Sequence, residues 1–77
     1  NEFVVFPNPS RGAFNLLFKN HVDEALISIT DVMGRLVYSK LIINTSETTL
    51  EFNGSIGIYY LKVDWKDGAK TFKLIKE

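Results

Sequence analysis

One short segment of the chain combines a histidine with two carboxylates. His21 is the only histidine, and Asp23 and Glu24 follow it closely. Imidazole and carboxylate groups can bind zinc or transfer protons. A catalytic triad also needs a positioned nucleophile, and a zinc site needs about four rigidly held ligands. Because residues 19–24 are mostly polar, we expect a solvated loop here and predict that the chain is not an enzyme.

A second pair of acidic residues flanks a turn near the C-terminus. Asp64 and Asp67 offer oxygen ligands for calcium, but their spacing does not match an EF-hand loop, and Lys66 lies between them. Residues 7–12 place a glycine beside a basic residue. They lack the glycine-rich loop leading into a helix that binds phosphate. We expect a hairpin and an elbow at these two places, and no metal or other cofactor.

Three aromatic residues lie close together, at Tyr59, Tyr60 and Trp65. Aromatic rings on a sheet surface stack against sugar rings in many carbohydrate-binding modules. In so small a chain most rings are needed for the core, and Tyr60 is the one expected to face outward. An accessory carbohydrate-binding or fibronectin-like β-sandwich module of a secreted enzyme is therefore kept as the alternative function.

The composition excludes several classes of protein. Nine basic and nine acidic side chains cancel, so the chain lacks the field that attracts nucleic acid. Cysteine is absent, which removes disulfides and thiolate sites. No apolar run approaches the roughly 20 residues that span a bilayer, so we expect no membrane-spanning segment. The first residue is not Met, and we expect a piece of a longer protein. Five lysines from Lys62 onward make the C-terminal segment basic.

Short runs of β-branched and aromatic residues alternate with polar residues along almost the whole chain. Such alternation is typical of half-buried strands, and Gly, Pro, Asn and Asp between the runs indicate turns. Seven strands are predicted, at residues 2–6, 13–18, 25–31, 36–43, 48–52, 57–65 and 69–76. This pattern predicts an all-β, seven-stranded antiparallel immunoglobulin-like β-sandwich, forming a single domain over residues 1–77.

The connections between these runs contain residues with defined roles in turns. Prolines lack an N–H donor and hold the preceding residue extended, which predicts a rigid elbow after the first strand. Asp31 is expected to cap the next hairpin and to pair with Arg35. Glycines 12, 34 and 57 are expected at backbone angles unfavourable to other residues. The predicted structural turn residues are Pro7, Asn8, Pro9, Gly12, Asp31, Gly34 and Arg35.

Five segments of the chain also carry a likeness to a known family. They are residues 6–9, 12–16, 29–37, 57–63 and 73–77. Taken together, they closely resemble the type A C-terminal sorting domains of the type IX, or Por, secretion system of Bacteroidetes. The segments cover nearly the whole chain in the order and spacing of that family, so their combination is far more specific than any one motif.

The resemblance implies a function and a set of partners. Domains of this family end proteins that cross the inner membrane by a separate signal peptide and are then recognised in the periplasm. An outer-membrane translocon exports the cargo, and a cell-surface sortase usually removes the domain. The implied partners are the outer-membrane secretion machinery, the surface sortase and an upstream cargo domain in the same chain. The implied location is the periplasm in transit, then the cell surface or the medium.

Recognition in this family lies largely on the C-terminal strands. In this sequence the last run carries lysines beside apolar residues and ends as a free strand. An unpaired strand edge can bind an extended partner through backbone hydrogen bonds. We therefore expect the translocon to recognise Gly57, Tyr59, Lys70, Phe72, Lys73, Leu74, Ile75 and Lys76.

Overall fold

The computed structural model describes residues 2–77, which form five β-strands. The strands are β1 (Phe3–Phe6), β2 (Ala13–Asp31), β3 (Leu36–Glu51), β4 (Gly57–Trp65) and β5 (Gly68–Lys76). All paired strands run antiparallel. The all-β antiparallel architecture expected from the alternation is thus confirmed. Within residues 2–77, no helix is long and apolar enough to cross a membrane.

The prediction of seven strands is wrong, because two polar segments assigned to loops are extended. β2 has 19 residues and β3 has 16, so residues 19–24 lie inside one strand and residues 44–47 inside the other. The pair Val22↔Thr45 continues the ladder between them after a register shift. A backbone ladder satisfies N–H and C=O groups whatever side chains are attached, so a polar sequence did not end these strands. His21 accordingly lies in a strand and not in a loop.

The five strands form one sheet in which β2 is central. β3 pairs along one side of β2. On the other side, β1 pairs with the first part of β2, from Asn15 to Phe18, and β4 pairs with the last part, from Ala25 to Asp31. β5 pairs with β4 and lies outside it. The finer assignment to an immunoglobulin-like sandwich of two sheets stays a prediction.

The long strands bend together, so that the sheet folds over itself. Lys40 Nζ donates to Thr48 Oγ1 at 2.9 Å, although the two residues are eight positions apart in β3, about 26 Å if the strand were straight. Asn44 lies between them with a φ of +57°, a left-handed conformation that asparagine adopts more easily than most residues. His21 Nε2 lies 2.6 Å from Asn44 Oδ1, which joins the bends of β2 and β3.

One core fills the space between the two halves of the folded sheet. The ring of Phe3 on β1 lies 4.8 Å from that of Trp65 on β4, and Phe52 lies 4.9 Å from Tyr59. The largest fully buried side chains are Phe14, Leu16, Ile27, Ile29, Leu50, Leu61, Val63 and Leu74. Full burial of one such side chain contributes about 1.5–3 kcal/mol. The two ring contacts hold β4 against β1 and against Phe52, which follows β3. β4 and its partner β5 carry the expected recognition residues.

Candidate functional site at the edge of the last strand

β5 lies at an edge of the sheet, where one side of its backbone faces away from β4. The pairing with β4 runs from Trp65↔Gly68 to Gly57↔Lys76. Backbone groups alternate between the two sides of a strand, so only every second residue of β5 points its N–H and C=O outward. The free edge expected from the sequence therefore depends on what covers those outward groups.

The elbow, residues 7–12, covers part of this edge with an asparagine side chain. Asn8 Nδ2 donates to the carbonyl of Lys73 at 2.8 Å, and Asn8 Oδ1 accepts from the N–H of Ile75 at 2.9 Å. A carboxamide carries the same donor and acceptor as a peptide group. The side chain of Asn8 thus pairs with β5 as the backbone of a neighbouring strand would. The peptide bonds before Pro7 and Pro9 are both cis.

The backbone of Ser10 extends the same pairing by one step. Its N–H donates to the carbonyl of Ile75 at 2.9 Å, and its carbonyl accepts from the N–H of Glu77 at 2.8 Å. This pattern is a parallel bridge between Ser10 and Lys76. Ser10 is buried, and its hydroxyl donates to the carbonyl of Ala13. We call the four hydrogen bonds that join Asn8 and Ser10 to residues 73–77 the elbow seam.

The elbow seam corrects the expectation of a free terminal strand. The side chain of Asn8 and the backbone of Ser10 cover the outward backbone groups from the Lys73 carbonyl to the Glu77 N–H. By the alternation of backbone groups, Thr71 and Ala69 point outward on the same side as Lys73, and the elbow bonds do not reach them. We call residues 69–73, up to the Lys73 N–H, the open stretch. The edge is therefore closed at the C-terminal end of β5 and open before it.

The expected recognition side chains on β5 differ in accessibility. Lys70, Lys73 and Ile75 are exposed, and Phe72 is half-buried. The ammonium of Lys70 lies 5.5 Å from the centre of the Phe72 ring. Lys76 is half-buried, because its ammonium lies 5.1 Å from the Phe52 ring and donates to the Phe52 carbonyl at 3.0 Å. Cations attract aromatic faces, so Lys76 is held against the domain while Lys73 remains accessible.

Two other members of the set are core residues. Leu74 is fully buried, and Tyr59 is 5% exposed. The Tyr59 hydroxyl donates to the carbonyl of Ser55 at 2.6 Å. Their side chains therefore position β4 and β5 and do not present a surface. Gly57 is exposed at the start of β4 with a φ of +150°, which glycine tolerates far better than other residues.

The hairpin between β2 and β3 is organised by Asp31. Its Oδ1 accepts from the N–H groups of Met33 and Arg35 at 2.9 Å each, and its Oδ2 accepts from Arg35 Nε at 3.1 Å. The hydrogen bond from the Arg35 N–H is the largest influence that lowers the pKa of Asp31 below its ordinary value of 3.8. Gly34 has a φ of +85°. Gly12 differs from expectation, because its φ is not in the left-handed region and no atom would crowd a Cβ there.

Within residues 2–77, the residues considered for catalysis or metal binding lie close together but do not form a metal site. His21, Asp23 and Glu24 lie near Asp64 and Asp67 around one surface depression. Among residues 2–77, however, no group of three His, Cys, Asp or Glu side chains is placed to hold a metal ion.

The three aromatic residues weighed for sugar binding do not share a face. Tyr60 is 41% exposed and pairs across the sheet with Lys73. Trp65 packs its ring on Phe3, and Tyr59 is buried. Neighbouring residues of a strand point to opposite faces, so Tyr60 stands apart from the other two. No ring of this trio stacks beside Tyr60 to form a platform.

Sequence reasoning missed the structural roles of three residues, Asn8, Ser10 and Gly54. The elbow was assigned to chain geometry, and the bonding of Asn8 and Ser10 to β5 was not foreseen, because they lie more than 60 positions from it in sequence. Gly54 was assigned to a turn, but a Cβ there would lie 2.5 Å from the Tyr59 hydroxyl. An asparagine between two prolines was the available signal, because neither proline has an N–H that could donate to its side chain.

The comparisons with known proteins bear on this edge and its elbow. No curated protein matches the chain. A family of secretion system C-terminal sorting domains matches residues 4–77, which include the elbow and all of β5. This match confirms the resemblance to type IX sorting domains that the five segments indicated. With a folded five-stranded sheet that presents a partly covered terminal edge, the chain belongs to the family of secretion system C-terminal sorting domains.

Proposed function

We propose that this domain is the export signal of a larger Bacteroidetes protein, read by the outer-membrane translocon of the type IX secretion system. The cargo passes through the periplasm, crosses the outer membrane and reaches the cell surface or the medium, where a surface sortase removes the domain. The observation that carries this proposal is the family match over residues 4–77. A type IX sorting domain implies export of the attached protein.

The proposed contact surface is the accessible part of the expected recognition set. Gly57, Lys70, Lys73 and Ile75 are exposed, and we assign them to direct contact. The remaining four, Tyr59, Phe72, Leu74 and Lys76, hold β4 and β5 in shape. The recognised feature is thus a folded edge of the single domain over residues 1–77 and not a linear peptide.

The domain's role is recognition and not catalysis. A family of sorting signals is not known for enzymatic activity. The net charge of zero gives no long-range attraction for nucleic acid. The partners proposed are the secretion machinery, the sortase and the cargo upstream in the same chain.

A fusion experiment tests the proposal. Residues 1–77 are joined to the C-terminus of a reporter enzyme that carries its own signal peptide, and the fusion is expressed in a host with the type IX translocon. We expect reporter activity at the cell surface or in the medium. The matched controls are the same fusion in a translocon-deficient strain and the reporter without residues 1–77, both of which should stay in the periplasm. Periplasmic retention of the folded fusion in the competent host would refute the proposal.

A further inference from the structure

The outward edge of β5 is divided sharply into a covered part and an open part. The elbow seam consists of four hydrogen bonds, which cover the outward backbone groups from the Lys73 carbonyl to the Glu77 N–H. The open stretch, residues 69–73, precedes it, and Ala69, Lys70, Thr71 and Lys73 are all exposed. Unpaired strand edges are templates for adding another strand. The division therefore limits where a partner strand can join the sheet.

We propose that the open stretch binds an extended, acidic segment of the secretion machinery as an added strand, and that the elbow fixes where this strand ends. The inference rests on the proposed function and names the site and chemistry of its partner. The bound segment pairs with the outward groups of Ala69 and Thr71 and with the N–H of Lys73. It cannot extend further, because Asn8 already occupies the Lys73 carbonyl and the Ile75 N–H.

The backbone of Thr71 is the centre of this site. The bond from Asn8 to the Lys73 carbonyl shows which side of β5 residue 73 faces, and residues two positions apart face the same side. Both backbone groups of Thr71 therefore point away from β4, to which β5 is already paired. Partner strands that add to a sheet gain affinity from such main-chain hydrogen bonds, and side chains supply specificity.

The charges around the open stretch favour an acidic partner. Lys70 and Lys73 extend from it, and Lys62 lies opposite Thr71 on β4. Among the five pairs that residues 69–73 make with β4, the one carboxylate is that of Asp64, whose Oδ1 is 3.6 Å from Lys62 Nζ. On the face that carries Lys62, Lys73 and Asp64, two lysines face one aspartate, and Lys70 extends from the opposite face of the same edge. The edge is therefore locally positive although the whole chain is neutral. Complementary charge speeds association and excludes wrong partners.

A proline at position 71 tests the backbone part of the inference. Thr71→Pro removes the outward N–H and leaves the bonds to β4 unchanged, because proline is tolerated on the outer side of an edge strand. Thr71→Val is the matched control, since it keeps the N–H and the β-branched shape. In the reporter fusion we expect Thr71→Pro to lower the exported fraction about tenfold and Thr71→Val to export normally. Urea unfolding of each purified domain verifies that both variants fold.

A charge reversal provides an independent test that does not alter the backbone. Lys70→Glu with Lys73→Glu is compared with Lys19→Glu with Lys40→Glu, which changes the net charge equally on β2 and β3, outside the elbow and β5. We expect a strong export defect only for the pair on the open stretch. Normal export by the Lys70/Lys73 variant, or by a folded Thr71→Pro variant, would overturn the inference. Failure of the unmodified fusion would instead refute the proposed function, so the two failures are distinguishable.

Discussion

Replacing Asn8 with alanine tests whether the elbow seam stabilises the fold. The change removes the bonds from Asn8 to the Lys73 carbonyl and the Ile75 N–H, at 2.8 and 2.9 Å. A hydrogen bond contributes about 0.5–1.5 kcal/mol net. Asn8 is exposed, so water can bind the freed groups, and we expect a total loss of about 1–2 kcal/mol. For a domain of this size, that corresponds to a decrease in Tm of about 5–15 °C.

The fluorescence of Trp65 provides the assay. It is the only tryptophan of the chain and packs on Phe3, so its emission should change when β1 and β4 separate on unfolding. Urea titrations of the original domain, Asn8→Ala and Asn53→Ala give the free energies of unfolding. Asn53 is an exposed asparagine outside the elbow seam, so Asn53→Ala should cost less than about 0.5 kcal/mol.

Amide hydrogen exchange supplies a local measurement. The N–H of Ile75 donates to Asn8, and we expect its exchange to accelerate in Asn8→Ala under conditions where the amides of buried β4 residues remain protected. The reasoning would be refuted if Asn8→Ala unfolded at the same urea concentration as Asn53→Ala and exchanged the Ile75 amide at the original rate.

Three further changes have defined outcomes. Gly54→Ala places a Cβ 2.5 Å from the Tyr59 hydroxyl and should destabilise the domain by about 1–3 kcal/mol in thermal denaturation. Gly12→Ala has open space around the added Cβ and should change Tm little. Equal effects of the two substitutions on Tm would contradict this reasoning. Because the pKa of Asp31 is lowered on folding, its contribution to stability is complete above pH 3.8 and lost as pH falls below it. Asp31→Asn should therefore weaken the acid dependence of Tm, and an unchanged dependence would refute that role. Leu61→Ala should cost about 2–5 kcal/mol in urea unfolding, since Leu61 is fully buried; a loss below 1 kcal/mol would argue against the described core.

The faces of the strands could be predicted from the sequence with good success. Alternation in residues 57–65 placed Tyr59, Leu61 and Val63 together, and all three are buried. The same pattern gave both ends of β4, at Gly57 and Trp65. Alternation succeeds because successive side chains of a strand must point to opposite faces. This local rule does not depend on which strands become neighbours.

The extents of β2 and β3 and the accessible edge could not be predicted in this way. Polar residues around His21 and Asn44 suggested loops, but the two segments pair with each other and bend as one. The covering of β5 by Asn8 joins positions 65 or more residues apart in sequence. Partners at such separation are selected by the packing of the whole sheet, and a single sequence carries no direct record of them.

The amino-acid sequence by itself determined the all-β class, the inward faces of the strands, the Asp31 hairpin and the likeness to sorting domains. Each depends on residue type and spacing along the chain, which are local properties. Only the tertiary structure decided that seven runs become five strands, that Lys76 is held against Phe52, and that the elbow closes part of the terminal edge. Those outcomes depend on which backbone groups meet after the sheet folds over itself.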